Sequence, residues 1–489
     1  MTARAGVDVR VTAGEDGTIR ITADRGHRSA DVFDDAEAFD GADVHGDADV
    51  HGDAEAGGDA GSHRDGTEDD RLVDVGADFT WAVLDVAGAV LSRPVLGAPG
   101  PPSARIHDVG RAQHWLWALY GERVAAAVQA HAAGESAGVR VRAQATALGG
   151  AAARLALGHW AARWWPASLP DGIPALQPDV LGLELAALTH RCQQLFDDED
   201  DQPDDCAAAL IEEHQTALDA LVRWWRTAPG PSDEARRLER VLRLIDAVAD
   251  GAGLDGPALR ALRTALERRG PDGGPTASGG PADGGTPAAA EVPAGLGTLF
   301  DRRGGYALAA GDTLGAAGRV IARGPGTNDW RRYPPGFVDA AENAVSWTAR
   351  ALGARRRVEA EAVAHPAAPT AGVTLAAEVY VDGGGPHRIP LTRRDDVWTG
   401  HADLTPQLSS GAPSPRVEVG VLLPGFDPGR PGAPEAAADR DRRDAVRALV
   451  RQRLTAAATS PAAHDRPSLD DWAAPFLAET VAAATDEDY

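Results

Sequence analysis

The chain contains no lysine; all forty-eight of its fixed basic residues are arginine. That absence removes whole chemistries. A P-loop cannot be completed, because its lysine contacts the β/γ-phosphates. A protein-kinase site lacks its strand lysine, and no lysine Schiff base can form with pyridoxal phosphate or an aldolase substrate. Cysteine is nearly as scarce. Two in 489 residues supply no disulfide framework and point to a reducing compartment. Methionine occurs only at Met1 and asparagine only at Asn328 and Asn343. The N-terminal run MTARAGVDVRV has no apolar core of the secretory kind. The longest apolar stretch, Phe79 to Leu91, contains Asp85 and is too short to span a bilayer. A cytoplasmic protein is expected.

What is present is skewed towards alanine, glycine, proline and arginine, the residues of GC-rich codons, which suggests a GC-rich bacterial genome. The net charge of −25 argues against a non-specific nucleic-acid binder or an anionic-membrane binder. Arginine clusters such as Arg355, Arg356 and Arg357 have acidic neighbours and read as a solvated mixed-charge face. A lysine-free chain also offers no side-chain amine for conjugation, which would suit a protein working beside a lysine-modifying system.

The expected organisation is α+β and multidomain. Residues 7–22 alternate with period two around Gly-Glu-Asp-Gly, predicting a β-hairpin within 1–30. Residues 31–70 hold fifteen Asp/Glu against one Arg, with a short repeat around His45 and His51. Such a composition has too few large apolar groups to offset chain entropy and predicts a disordered acidic linker. Residues 71–270 read as a central all-α helical bundle. Its helices are a buried one over 105–133, one from about 140 to Trp165 stopped by Pro166, and one striped by Leu181, Leu185, Leu188, Cys192 and Leu195. Three more follow, the fourth carrying Ile211, His214, Leu218 and Trp225, the fifth opening at Ser232, the last ending at Gly270. Residues 271–293 are a Gly/Pro linker. Over 294–489, short strands at 357–364, 373–382, 387–392, 396–403 and 416–423 predict a β-sandwich-like domain with C-terminal helices.

Several constellations could carry chemistry. Gly134-Glu135-Ser136-Ala137-Gly138 fits G-x-S-x-G and resembles the nucleophile elbow of the α/β-hydrolases, in which a strained strand-to-helix turn exposes the serine. The resemblance covers those five residues. The residues before them read as a helix, and no alternating β/α pattern supplies a sheet. His190, Cys192, Cys206 and His214 are zinc-type ligands, but their spacing scatters them around and along helices. The acidic run 197–205 has Gln202 where a calcium loop needs glycine. Among twelve tryptophans, the pairs Trp164-Trp165 and Trp224-Trp225 cannot both face one core, so one of each is expected to be partly exposed. Residues 328–347 join Trp330, Arg331, Arg332, Tyr333 and Phe337 to a Pro-Pro-Gly turn, a composition that suits either a binding surface or an interdomain junction.

No catalytic, cofactor-binding or metal-ligating residue is assigned. The reading that follows is a non-enzymatic protein-interaction or scaffold component of a bacterial cytoplasmic system. Its partner is a protein, with no nucleic acid and no membrane. The alternative is a serine hydrolase using the 134–138 motif.

Overall fold

Alternation of Val9 and Val11 with polar neighbours makes β1 (Val7–Ala13), and Ile19 and Ile21 do the same for β2 (Ile19–Ala23). The two pair antiparallel through the Gly14–Thr18 turn. The computed structural model describes residues 7–14, 16–23, 79–97, 100–135, 138–196, 204–227, 233–269, 299, 318–365, 368–369, 372–408, 416–426, 435–459 and 472–485. The acidic tract 31–70, the linker 271–293, Ser136, the run 197–203 and the last four residues lie outside the described residues.

The hairpin does not stand alone. It joins β3 (Trp81–Val86), β4 (Ala89–Pro94), β5 (Ser103–Ile106) and β6 (Val139–Ala143) in an antiparallel six-stranded sheet ordered β3-β4-β5-β2-β1-β6. This corrects the all-α expectation for 71–270, since four of the six strands fall inside that range. Ala82, Leu84 and Val86 are buried and Asp85 is exposed, so the apolar stretch from Phe79 is a two-stranded hairpin with a tight Ala87-Gly88 turn.

Helices α1 (Val109–Tyr120), α2 (Glu122–Ala132) and α3 (Ala147–Trp164) cover the inner face of this sheet. The single helix expected over 105–133 is therefore β5 plus two helices. The break is Gly121 at φ 92°, a conformation open to glycine, and its N–H caps Trp117 O. Indole N–H groups pin the layers together: Trp115 donates to Ala87 O at 2.9 Å and Trp160 to Phe79 O at 2.7 Å. The Tyr120 hydroxyl donates to Pro102 O at 2.9 Å, and full burial holds its pKa well above the ordinary phenol value. Beyond α3 run α4 (Pro178–Arg191), α5 (Asp204–His214), α6 (Leu218–Thr227), α7 (Asp233–Gly251) and α8 (Pro257–Arg269), packed on one another; the single fourth helix expected to carry Ile211, His214, Leu218 and Trp225 is two, α5 and α6, parted by a tighter turn at Gln215–Ala217.

The second unit is a single antiparallel sheet of seven strands. In chain order they are β7 (Arg319–Pro325), β8 (Val345–Leu352), β9 (Arg355–Val363), β10 (Leu375–Val381), β11 (His387–Arg394), β12 (Val397–Asp403) and β13 (Val417–Leu422), with the short α9 (Thr405–Leu408) before β13. Their order in the sheet is β13-β10-β11-β12-β9-β8-β7. The chain just past β7 bonds both β8 and the far border strand β13: Gly326 N–H donates to Val345 O at 2.8 Å, and Thr327 N–H to Val419 O at 2.7 Å. The sheet thus curls into a half-barrel, which corrects the sandwich-like expectation. The five expected strands all form, but they hydrogen-bond into one continuous layer rather than two facing ones.

Helix α10 (Glu435–Ala458) and helix α11 (Leu477–Thr485) tie the two units together. The first borders the seven-stranded unit through Arg443 and Glu342, whose closest approach is 2.5 Å. The second packs on α4 and α7 of the helical unit. Among the described residues no helix is long and apolar enough to cross a membrane.

Candidate functional site

The aromatic-arginine segment after β7 is densely bonded, and it lies where the two units meet. Asn328 is fully buried, and its Nδ2 donates to Asp339 O at 2.9 Å and to Ala341 O at 2.7 Å. The Tyr333 hydroxyl donates to Asn328 Oδ1, and burial holds that phenol well above its ordinary pKa. Asp329 caps the short turn at 330–332 by accepting Arg331 N–H at 3.1 Å, and it binds the Arg331 guanidinium as well. Arg331 reaches on to Asp439 on α10 at 2.6 Å. The buried Arg332 pairs with Glu378 on β10 at 2.7 Å. Desolvation works against the Glu378 carboxylate. Hydrogen bonds from Arg332, Tyr380 and Arg388 outweigh it and lower its pKa.

The first unit supplies the opposing wall. Phe79 meets the Trp330 ring edge-on, with centroids 5.2 Å apart. Ala340 N–H donates to Ala167 O at 3.2 Å, and Leu169 N–H to the Asp339 carboxylate at 3.0 Å. Between the walls remains a cleft of about 40 Å³, lined by Trp164, Trp165, Trp330, Tyr333, Pro335 and His365. That is room for about three water molecules. The Tyr333 hydroxyl is already committed to Asn328, so the cleft holds no free nucleophile–base pair among these residues.

His365 is buried at the rim of the cleft. Burial lowers its pKa, Arg393 adds to that, and Asp339 partly opposes it. Its sign gives a pH prediction. A histidine that binds its proton less tightly folded than unfolded supports the fold above its unfolded pKa of about 6.5 and loses that support as the pH falls below it. The slope from this one group is at most about 1.4 kcal/mol per pH unit. Urea denaturation at pH 7.5 and 5.5 should show a smaller acid loss for His365→Asn than for the unaltered chain. Equal losses would remove His365 from the account.

Of the two readings of 328–347, burial fits the interdomain junction and not the binding surface: Trp330 and Tyr333 are 6% and 4% exposed. One tryptophan pair is also deeper than expected. Trp224 and Trp225 are both buried, because α6 packs against both α7 and α8. Trp164 is buried, while the half-buried Trp165 donates to Pro174 O at 2.9 Å. The tryptophan that faces solvent is instead Trp117, 57% exposed on α1.

The other candidates fall apart in space. Glu135 N–H donates to Ala130 O and Gly134 N–H to His131 O, the two bonds of a Schellman helix stop, with Gly134 at φ 75°. The 134–138 motif is thus flanked by helix α2 and then strand β6, the reverse of an elbow's order. Cys192 is buried at the end of α4 and Cys206 is exposed on α5. The His214 ring lies 3.2 Å from Asp179 and packs so closely on Gly182 that a Cβ there would sit 1.9 Å from it. Among the described residues no three His, Cys, Asp or Glu side chains come together as a metal site would need.

Comparison with known proteins adds no relative: no family model, no curated protein and no solved structure matches this chain.

Proposed function

We propose that the chain is a non-enzymatic protein-interaction or scaffold component of a bacterial cytoplasmic system. The observation that carries this reading is Trp117. It stands 57% exposed on a helix whose neighbouring Trp115 and Leu116 are buried in the core. A large aromatic left in water on a rigid element keeps the hydrophobic gain of burial in reserve for a partner, and tryptophan is enriched among interface hot spots. The border strand β7 supports the same reading. Among the described strands it pairs with β8 alone, and it exposes Val320 and Ile321.

Trp117→Ser is expected to weaken recovery of a specific partner by about 30-fold, the size of a 2 kcal/mol hot spot, with the thermal midpoint unchanged. Affinity capture with both chains, alongside thermal denaturation, measures the two quantities. Full recovery by Trp117→Ser, or no specific partner for the unaltered chain, would sink the reading. Ser136-dependent labelling by a fluorophosphonate would put a serine hydrolase in its place.

A further inference from the structure

Strand β7 is a border strand that keeps its largest apolar residues out in solvent. Its register on β8 pairs Val320 with Arg350 and Ala322 with Ala349, so Ile321 is an extra residue, a bulge. Strict alternation would turn one of two adjacent side chains inward. Here both stay out: Val320 is 45% and Ile321 38% exposed. On either side of them stand the exposed Arg319 and Arg323, in a strand without an acidic residue. Among the described residues no carboxylate, carbonyl or ring holds either guanidinium. The opposite border is different, because Thr327 N–H bonds Val419 O of β13 and Arg416 pairs with Glu418 at 3.0 Å.

A second copy of β7 is a poor cover for this edge. Antiparallel self-pairing centred on Ile321 sets Arg319 of one protomer opposite Arg323 of the other, twice over. Equal charges facing across a strand pair repel. The arginines therefore work against edge-to-edge association of like chains, as charge on border strands commonly does. The same two charges favour a strand of opposite sign. At physiological salt the Debye length is about 8 Å, so these nearby guanidinium groups, and not the chain's net charge of −25, set the local preference.

Taking the chain as an interaction protein, we propose that β7 is the docking edge for an extended acidic segment of a protein partner, which adds to the seven-stranded sheet as a further strand. Backbone N–H and C=O groups along the outer edge of β7 supply the bonds, as in other strand additions. Val320 and Ile321 give the added strand apolar contact. The arginines fix its sign, since guanidinium forks match carboxylates bidentately. They also fix its spacing. On β8 the residues opposite Arg319 and Arg323 are Ala351 and Thr348, three apart, because the bulge shortens β7 by one residue. A regular strand on the outer edge meets the same shortening. Its two carboxylates therefore lie three residues apart, one on each face.

The test uses the fluorescent, acetylated and amidated octapeptide Thr-Val-Glu-Thr-Val-Glu-Val-Thr. Its controls are the peptide with lysine for both glutamates and two acidic versions N-methylated at odd or at even amides. Each is titrated into the full-length chain at about 0.15 M salt and followed by anisotropy. The acidic peptide should bind with a Kd below about 1 mM. It should bind at least about tenfold more tightly than the lysine peptide and than at least one N-methylated version. On the chain carrying R319E and R323E the order of the acidic and lysine peptides should invert, a gain that misfolding does not produce. The proposal is overturned by no binding of the acidic peptide, by equal binding of the acidic and lysine peptides, or by N-methylated versions that both bind as well as their parent. A lysine peptide that fails to outbind the acidic one on the variant overturns it too, as does a dimer of the unaltered chain that Ile321→Asp dissolves, which would give the edge to a second copy. Trp117-dependent capture of a partner, with no peptide bound, removes the strand edge alone and leaves the interaction reading standing.

Discussion

Glu479→Ala is expected to destabilise the protein by about 3–5 kcal/mol, because it strands a buried arginine. Glu479 is fully buried on α11 and binds Arg453 of α10 through both oxygens, at 2.6 and 2.8 Å. The same carboxylate accepts Phe476 N–H at 2.5 Å, the reciprocal half of a capping box at the start of α11. Next to it Glu184 of α4 binds Arg154 at 2.8 Å and accepts Leu477 N–H at 2.6 Å. Arg154 in turn donates to Ala474 O at 2.7 Å, and both Arg154 and Arg453 lie over the Phe476 ring.

The half-buried Arg237, 3.6 Å from Glu184, brings a third guanidinium to the two carboxylates, beside the buried Arg154 and Arg453. Desolvation there lowers the Arg237 pKa to about 10. Removing either carboxylate leaves the excess positive charge worse compensated in a site water does not reach. Glu479→Gln keeps the shape and the cap while dropping the charge, so its loss should be smaller, about 1–3 kcal/mol. Urea denaturation measures both. A loss under about 1 kcal/mol for the alanine variant would mean that α11 is held by apolar packing alone.

Much of the fold was readable from periodicity, and the failures have local causes. The stripes that placed α6 and α7 are helical on one face because each helix buries one side, whereas α4 is buried all round from Val180 to Thr189. Among the expected strands of the second unit β9 and β11 alternate for the analogous reason, while β10 is buried on both faces. The stretch from Phe79 misled because its buried residues come from both strands of a hairpin, so no single period shows. Helix 105–133 misled because α1 and α2 are both apolar, and only Gly121 marks the break. Which strands would bond to which lay beyond the sequence. The hairpin of residues 7–23 gives no local sign that it will accept β5 and β6.

The candidate site was half legible. Composition singled out 328–347 correctly as an unusual segment, but aromatic plus arginine describes an internal junction as well as an external surface. What decides between them is the set of partners on Phe79, Ala167, Glu378 and Asp439, all distant in sequence. The docking edge was hidden for the same reason. That β7 is a border strand with an extra residue at Ile321 shows only once the register is known.

Trp330→Ala is the second large effect, an expected loss of about 3–5 kcal/mol, as for a buried aromatic cut to a methyl group. The ring is held between the edge of Phe79 at 5.2 Å and the Arg447 guanidinium at 5.6 Å, so its removal opens a void between the two units as well as within one. Its indole N–H finds no acceptor among the described residues. Trp330→Phe keeps most of the apolar area and removes that unmet donor, and should therefore cost much less than the alanine change. Tyr333→Phe works the other way. It deletes the hydroxyl that donates to Asn328 Oδ1 and leaves a buried acceptor unpaired, for about 1–3 kcal/mol. Thermal and urea denaturation of the three variants give the ranking: alanine at 330 worst, phenylalanine at 333 intermediate, phenylalanine at 330 mildest. Partner capture should fall with stability for Trp330→Ala, because loosening the junction also moves the elements that carry Trp117 and β7. Unchanged stability in Trp330→Ala, with partner capture lost, would instead make this segment a contact surface that opens on binding.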